Sequence, residues 1–253
     1  MVLIYKKQIM TSKYHIKWAS NLIVSELHLN PHEIACAEKI YGNLAMSKER
    51  GNLCCIEYYP IEALSLNSSK SVVGIDIPCF IEKDQNSATR TIMIIGEAPR
   101  RNVCGKGTNL VLLGTPYAIQ YKEFPEQCWV YKQIFKGLLD DYNLYLTDAL
   151  KVWPKTCAST YSNKEWKDIL KREILCVNPT MIVTFGRVAK NMLDQIIKEG
   201  PYGIDIRNVI HPSQMNNNLW SSLGVCPCHI PQFVLKFILE NQGERNMYNC
   251  IIK

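Results

Sequence analysis

The feature that most restricts the fold is an apolar, β-branched run that is cut off abruptly. Thr91, Ile92, Met93, Ile94 and Ile95 carry almost no polarity, and Gly96, Glu97, Ala98 and Pro99 follow at once. Strict alternation would mark a strand with one wet face. An unbroken run of this length suits a strand buried on both faces, as in a parallel sheet. Glu97 then stands at the carboxyl end of that strand, in a turn stiffened by Pro99 and flanked by Arg100 and Arg101. In open α/β sheets the carboxyl ends of strands are where ligands bind. An ordinary strand exit, with Glu97 solvated or paired to an arginine, accounts for the same residues, and on this stretch alone it is the better reading, because four-residue motifs recur by chance.

The rhythm downstream is regular. The pattern predicts a long loop holding Gly105, Gly107 and Gly114-Thr115-Pro116-Tyr117, then a helix over 126–139. A second strand starts at Asn143 and ends in Thr147-Asp148, and a helix spans 163–176. A third strand, 180–185, stops at Gly186 and passes directly into a helix over 187–198. A fourth, 204–210, runs into His211-Pro212-Ser213; an asparagine-rich loop and a last helix over 231–241 follow. Strands alternating with helices predict an α/β fold: a three-layer α/β/α arrangement around a central, mainly parallel four-stranded sheet.

Residues 1–88 read as a helical and mixed N-terminal extension packed on a core of 89–253. Ile16, Ala19, Ile23 and Leu27 predict a helix across 11–27, and Asn30-Pro31 starts another towards Met46. The stretch 71–81 is strand-like, and 82–90 is polar and loop-like.

Composition adds limits. No apolar run approaches the ~20 residues of a membrane span, and the N-terminus does not resemble a secretory signal. The expectation is a cytoplasmic protein with no membrane partner, whose eleven cysteines are reduced. Cys226-Pro-Cys228-His229 lacks the two-residue gap of usual zinc pairs, and Cys54-Cys55 are adjacent. Buried structural thiols are expected at both places, with no metal and no cofactor. A net charge of +6 permits nucleic acid as a partner without demanding it.

Three strand ends carry Glu97, Asp148 and His211. In this order they resemble the uracil-DNA glycosylase superfamily. Gly96-Glu97-Ala98-Pro99 is similar to the first motif of its iron–sulfur branch. Gly114-Thr115-Pro116-Tyr117 resembles the segment that supplies an aromatic for stacking on the target base. The stretch from Leu146 to Lys151 is similar to a strand end where the family usually carries Thr-Asn. The stretch from Val183 to Ala189 resembles its strand–glycine–helix passage, and His211-Pro212-Ser213 its final motif. The likeness covers roughly residues 90–240.

The resemblance implies a monofunctional DNA glycosylase, acting as a monomer, that flips a base and hydrolyses its N-glycosidic bond. Glu97 would orient and deprotonate water and offset the positive charge of an oxocarbenium-like sugar. His211 would donate to O2 of the departing pyrimidine, through either ring nitrogen. Tyr117, Ala98 and Asp148 would bind the base. Ser213, Arg100, Arg101, Lys151 and Arg187 would hold the DNA backbone. Bland roles stand beside these: a core tyrosine, a histidine capping a turn, a structural Asp148, solvated cations. Lys151 as a Schiff-base nucleophile is a further alternative.

Asp148 stands where the family has asparagine. An asparagine amide complements both N3–H and O4 of uracil, whereas an ionised aspartate has no donor for O4. A protonated aspartic acid offers one donor and one acceptor, which complement N3 and the C4 amine of cytosine. Burial favours that protonated form. The expectation is therefore a modified cytosine-type base, as in some viral DNA, and a role in defence. The alternatives are uracil removal in base-excision repair and a catalytically silent DNA-binding protein.

Other departures bear on metal and DNA. Arg100 stands where the branch usually has glycine, and no basic residue follows Ser213 closely. Val152 occupies the place of a cluster-binding cysteine, and Cys176 has no upstream Cys-x-x-Cys. An iron–sulfur cluster needs four ligands. The purified protein is expected to be colourless, with no stoichiometric iron by elemental analysis. A brown protein with about four irons per chain would overturn this.

Overall fold

The computed structural model describes residues 14–18, 57–60, 72–76, 78–83, 90–98, 110–114, 116–118, 129–150, 152–154, 163–198, 203–213, 216–240 and 246–250. The strands are β1 (Tyr14–Trp18), β2 (Glu57–Pro60), β3 (Val72–Asp76), β4 (Cys79–Lys83), β5 (Thr91–Gly96), β6 (Leu110–Gly114), β7 (Asn143–Asp148), β8 (Val152–Pro154), β9 (Met181–Phe185) and β10 (Asp205–Val209). The α-helices are α1 (Trp129–Leu138), α2 (Asn163–Val177), α3 (Arg187–Ile197), α4 (Asn217–Ser222) and α5 (Ile230–Leu239).

The four apolar runs become neighbours. The main sheet has the order β1-β4-β7-β5-β9-β10, in which β7, β5, β9 and β10 are mutually parallel. Antiparallel β4 and β1 extend it on the β7 side. Every residue of β9, and all of β5 after Thr91, is buried. Consecutive burial means that both sheet faces are covered, as the unbroken runs require. The helices supply the cover. Ala189, Met192, Leu193 and Ile196 form one buried stripe on α3, and Val130, Tyr131, Ile134, Phe135 and Leu138 another on α1. Helix α1 packs against α5, and α2 against α3. Burying an isoleucine such as Ile92, Ile94 or Ile95 stabilises by roughly 1.5–3 kcal/mol.

A second sheet, ordered β2-β6-β3-β8, lies outside the predicted architecture. Strand β6 and a 3-10 turn at Pro116–Ala118 occupy what reads as loop in the sequence. The 71–81 stretch is two strands, β3 and β4, which belong to different sheets. The helix expected over 11–27 is not formed at 14–18, where β1 stands. Tyr14, His15, Ile16, Lys17 and Trp18 alternate apolar and polar, and this period of two outweighs the looser helical spacing. The helix expected after Pro31 lies outside the described residues. The asparagine-rich loop contains α4. Buried thiols are not found at Cys226 and Cys228: both are exposed, because Pro227 opens a surface 3-10 turn. Cys54 and Cys55 lie outside the described residues.

The β9–α3 junction shows how the chain turns without a loop. Gly186 has φ 97° and ψ 167°, a conformation open almost only to glycine. Its N–H donates to the Val209 carbonyl at 3.0 Å, tying β9 to the end of β10. Gly186→Ala is expected to lower stability by roughly 1–3 kcal/mol in urea unfolding. An unchanged midpoint would show that the turn is not under this constraint.

Candidate active site

Parallel strands bring their carboxyl ends to one edge of the sheet. Asp148 ends β7, Glu97 follows β5, Gly186 and Arg187 follow β9, and His211 follows β10. The β5–β7 ladder continues past the strands: Ala149 N–H donates to the Gly96 carbonyl at 2.9 Å and Leu150 N–H to the Glu97 carbonyl at 3.0 Å. Glu97 is thus fixed through its backbone while its side chain is half-buried. Ala98 packs, half-buried, against the core.

Side chains alternate along β7. Thr147 and Tyr145 point towards α2, where both hydroxyls donate to Glu173 Oε1 at 2.9 Å. Glu173 is 1% exposed and pins the strand from behind. Asp148 therefore faces the opposite side, 5% exposed, with Oδ1 lying over Gly96. A Cβ on Gly96 would overlap that oxygen and sit 3.0 Å from the Tyr117 hydroxyl. Gly96 is the residue that lets both polar groups close over the end of β5.

Tyr117 has φ 59° and ψ 16°, the left-handed region that bulky residues rarely adopt. Its ring explains how this is sustained. It packs 4.9 Å from Tyr131, 5.1 Å from Phe135 and 5.9 Å from Phe185, centroid to centroid. The hydroxyl is fully buried, without a hydrogen-bond partner among the described residues, although the side chain as a whole is only half-buried. Burial, then the nearby Asp148 carboxylate, pushes the Tyr117 phenol well above its ordinary range.

Tyr131 joins this cluster to His211. Its hydroxyl lies 3.3 Å from His211 Nδ1, with the rings 5.9 Å apart and edge-on. The His211 carbonyl accepts from Asn216 Nδ2 at 2.9 Å and from Trp220 Nε1 at 3.4 Å. Asn216 Nδ2 also reaches Ser213 Oγ at 3.3 Å. His211 is thereby held at both backbone and ring, and Ser213 is held beside it.

Of the predicted residues, the structure thus gathers Glu97, Tyr117, Asp148 and His211 at one edge. Arg187 is exposed there, with its guanidinium 5.4 Å above the ring of Tyr248. The Tyr248 phenol is pushed up to about 12, first by burial, with Arg187 opposing and Glu97 adding to the rise. Arg100, Arg101 and Lys151 lie outside the described residues. Tyr131, Glu173, Asn216, Trp220 and Tyr248 were not singled out as site residues by the sequence. The only available signals were a buried helical stripe for Tyr131 and the polar run after Ser213 for Asn216. No group of three or more His, Cys, Asp or Glu side chains among the described residues is arranged to hold a metal ion. No helix among them is long and apolar enough to cross a membrane.

No curated protein matches the chain. A family model, the uracil DNA glycosylase superfamily, matches residues 84–223, which includes β5 to β10, the Gly96-Glu97 turn, Tyr117, Asp148 and the His211 loop. The match covers more than half of the 253 residues and points to glycosylase-type chemistry on DNA. With the parallel sheet and the strand-end constellation in agreement, the chain belongs to the uracil DNA glycosylase superfamily.

Proposed function

We propose that this protein is a monofunctional DNA glycosylase that excises a modified, cytosine-type base. The observation that carries the reading is the buried Asp148 carboxyl over Gly96, beside the Tyr117 hydroxyl. The pyrimidine stacks on the Tyr117 face and meets Asp148 with its Watson–Crick edge. The Asp148 carboxyl is taken in its neutral form, the form that burial favours in general. With the proton on the oxygen facing N3, it donates to N3 and accepts from the amine at C4. A modified cytosine of invading viral DNA would be a target that leaves the host's own cytosines alone.

The remaining roles follow from position. Glu97 orients and deprotonates the water that attacks the anomeric carbon, and its charge offsets the developing oxocarbenium ion. With Tyr131 O–H as the donor to His211 Nδ1, 3.3 Å away, the ring proton sits on Nε2. Nε2–H then donates to O2 of the leaving pyrimidine as negative charge collects there. Because Asn216 and Trp220 hold the His211 backbone, this donor is in place before substrate arrives. Ser213 and Arg187 contact the DNA backbone.

Two substitutions test this reading. Glu97→Gln is expected to lower single-turnover excision by roughly 10²–10⁴-fold with DNA binding retained. Excision at the native rate would remove Glu97 from water activation. Asp148→Asn is expected to move preference from the cytosine-type base towards uracil, since an amide supplies both a donor for O4 and an acceptor for N3–H. A well-placed polar match in a dry pocket discriminates by about 10⁴. The measurement is excision of both bases from matched duplexes, followed by alkali cleavage of abasic sites. Efficient uracil removal by the native protein, unchanged in Asp148→Asn, would instead favour uracil repair.

A further inference from the structure

Beyond the matched residues 84–223, the chain returns to the candidate site. Asn208 of β10 pairs with Thr184 of β9 on one side and forms a parallel bridge to Asn246 on the other. The bridge lies along the outer edge of β10, the last strand of the main sheet. Because it is parallel, it sends the following residues the way β10 runs, towards the carboxyl ends of the strands. A 3-10 turn, Met247–Cys250, comes next and is tied down. Met247 is 1% exposed, within the core. The Asn246 side-chain carbonyl accepts from Tyr248 N–H at 3.2 Å, and its backbone carbonyl from Asn249 N–H at 3.0 Å.

This turn meets Arg187, which opens α3 directly after Gly186. The β9–β10 register, carried two residues past Phe185–Val209, sets His211 level with Arg187. The β5–β9 register, carried two residues past Ile95–Thr184, sets Glu97 level with Gly186. A Cβ on Gly186 would lie 3.4 Å from His211 Cβ and 3.5 Å from its Cδ2, so the imidazole stands against this junction. The exposed Arg187 side chain thus leaves the backbone beside both proposed catalytic groups. Its guanidinium carbon lies 5.4 Å from the centroid of the half-buried Tyr248 ring. That is within the ~6 Å reach of a cation–π contact. The Tyr248 phenol, raised first by burial, also feels Arg187 and Glu97, which agrees with this placement.

An exposed arginine samples many rotamers and loses that freedom when it grips a phosphate. A ring beneath the guanidinium restricts it beforehand. An aromatic ring, unlike a carboxylate, does not take up the planar fork of N–H donors that phosphate oxygens need. We propose that Tyr248 is a positioning residue for DNA binding: its ring holds the Arg187 guanidinium at the strand-end edge, ready for the phosphate next to the extruded nucleotide. This deepens the proposed function and rests on Arg187 contacting the DNA backbone. Tyr248 touches no reacting atom and acts through Arg187. The segment after the matched domain thereby takes part in holding the substrate.

The test uses the full chain and a short duplex carrying an abasic-site analogue, so that no base identity is assumed. Arg187→Ala is expected to lower the magnitude of the slope of log affinity against log salt by about 0.9, the share of one phosphate contact. Tyr248→Leu keeps apolar bulk and removes the ring face. It is expected to weaken binding about two- to fivefold, the size of an exposed cation–π contact. Tyr248→Phe is expected to bind as the native protein does, and Tyr248→Leu to add nothing in an Arg187→Ala background. Equal losses from Tyr248→Leu in both backgrounds, or no loss in either, overturn the proposal. An unchanged salt slope in Arg187→Ala overturns it as well. In protein labelled with ¹⁵N-arginine, the Arg187 Nε–H signal is assigned by its absence from Arg187→Ala. Relaxation is expected to show an ordered side chain before DNA is added. A mobile one overturns the proposal whether or not the Tyr248 variants fold. The full expected pattern in a protein that releases no base from any duplex supports the role of Tyr248 in DNA binding and overturns the proposed excision instead.

Discussion

The site depends on one piece of backbone pairing that does not stop where the strands do. β5 and β7 run parallel, and their hydrogen bonds continue from Ala149 to Gly96 and from Leu150 to Glu97. This continuation places a carboxylate after one strand and a carboxyl at the end of its neighbour, on a backbone that has no freedom to separate them. The approach is possible only because residue 96 has no Cβ, since that volume belongs to Asp148. Glu173 completes the arrangement from the far face by holding Thr147 and Tyr145, which sends Asp148 the other way. Burying such a carboxylate is costly unless it is hydrogen-bonded, and two hydroxyl donors fill that need.

The four parallel strands of the main sheet and their end positions were legible because burial on both faces leaves a plain mark: runs almost free of polar residues at 91–95 and 181–185. The order of those runs then fixed which ends would meet. The second sheet was not legible. β6 and β8 are short, and their residues alternate with neither period over enough length to stand out. The helix expected around residue 16 illustrates the same limit, since five residues of alternating pattern were read inside a longer window of another period. Contacts such as Tyr131–His211 and Asn216–His211 join residues 80 and 5 positions apart. No local pattern encodes the first, and the second hides in a polar stretch that looks like loop. Cys226 and Cys228 invert the usual burial of thiols because a proline-led turn carries them outward.

Tyr117 shows local and global demands in conflict, resolved by packing. Its backbone adopts a conformation that costs on the order of 1–3 kcal/mol for a residue of this kind. Three aromatic neighbours hold the ring in spite of it. Such compensated strain is commonest where geometry has been fixed for binding rather than for stability. The same ring touches Tyr131, which in turn reaches His211, so in the proposed function base stacking and leaving-group contact share one aromatic wall.

The doubly bonded carbonyl of His211 has a further meaning. With Asn216 and Trp220 both donating to it, the loop after β10 has a fixed pivot, and the imidazole has little room to travel. A contact held in this way does not travel to its target. In the glycosylase reading, the distortion needed for contact falls on the nucleic acid. Unstacking costs a few kcal/mol and is least for bases that are mispaired or damaged. A fixed contact thus becomes a gauge of its substrate's softness: how readily a nucleotide leaves the helix would help decide which ones are ever presented to the chemistry.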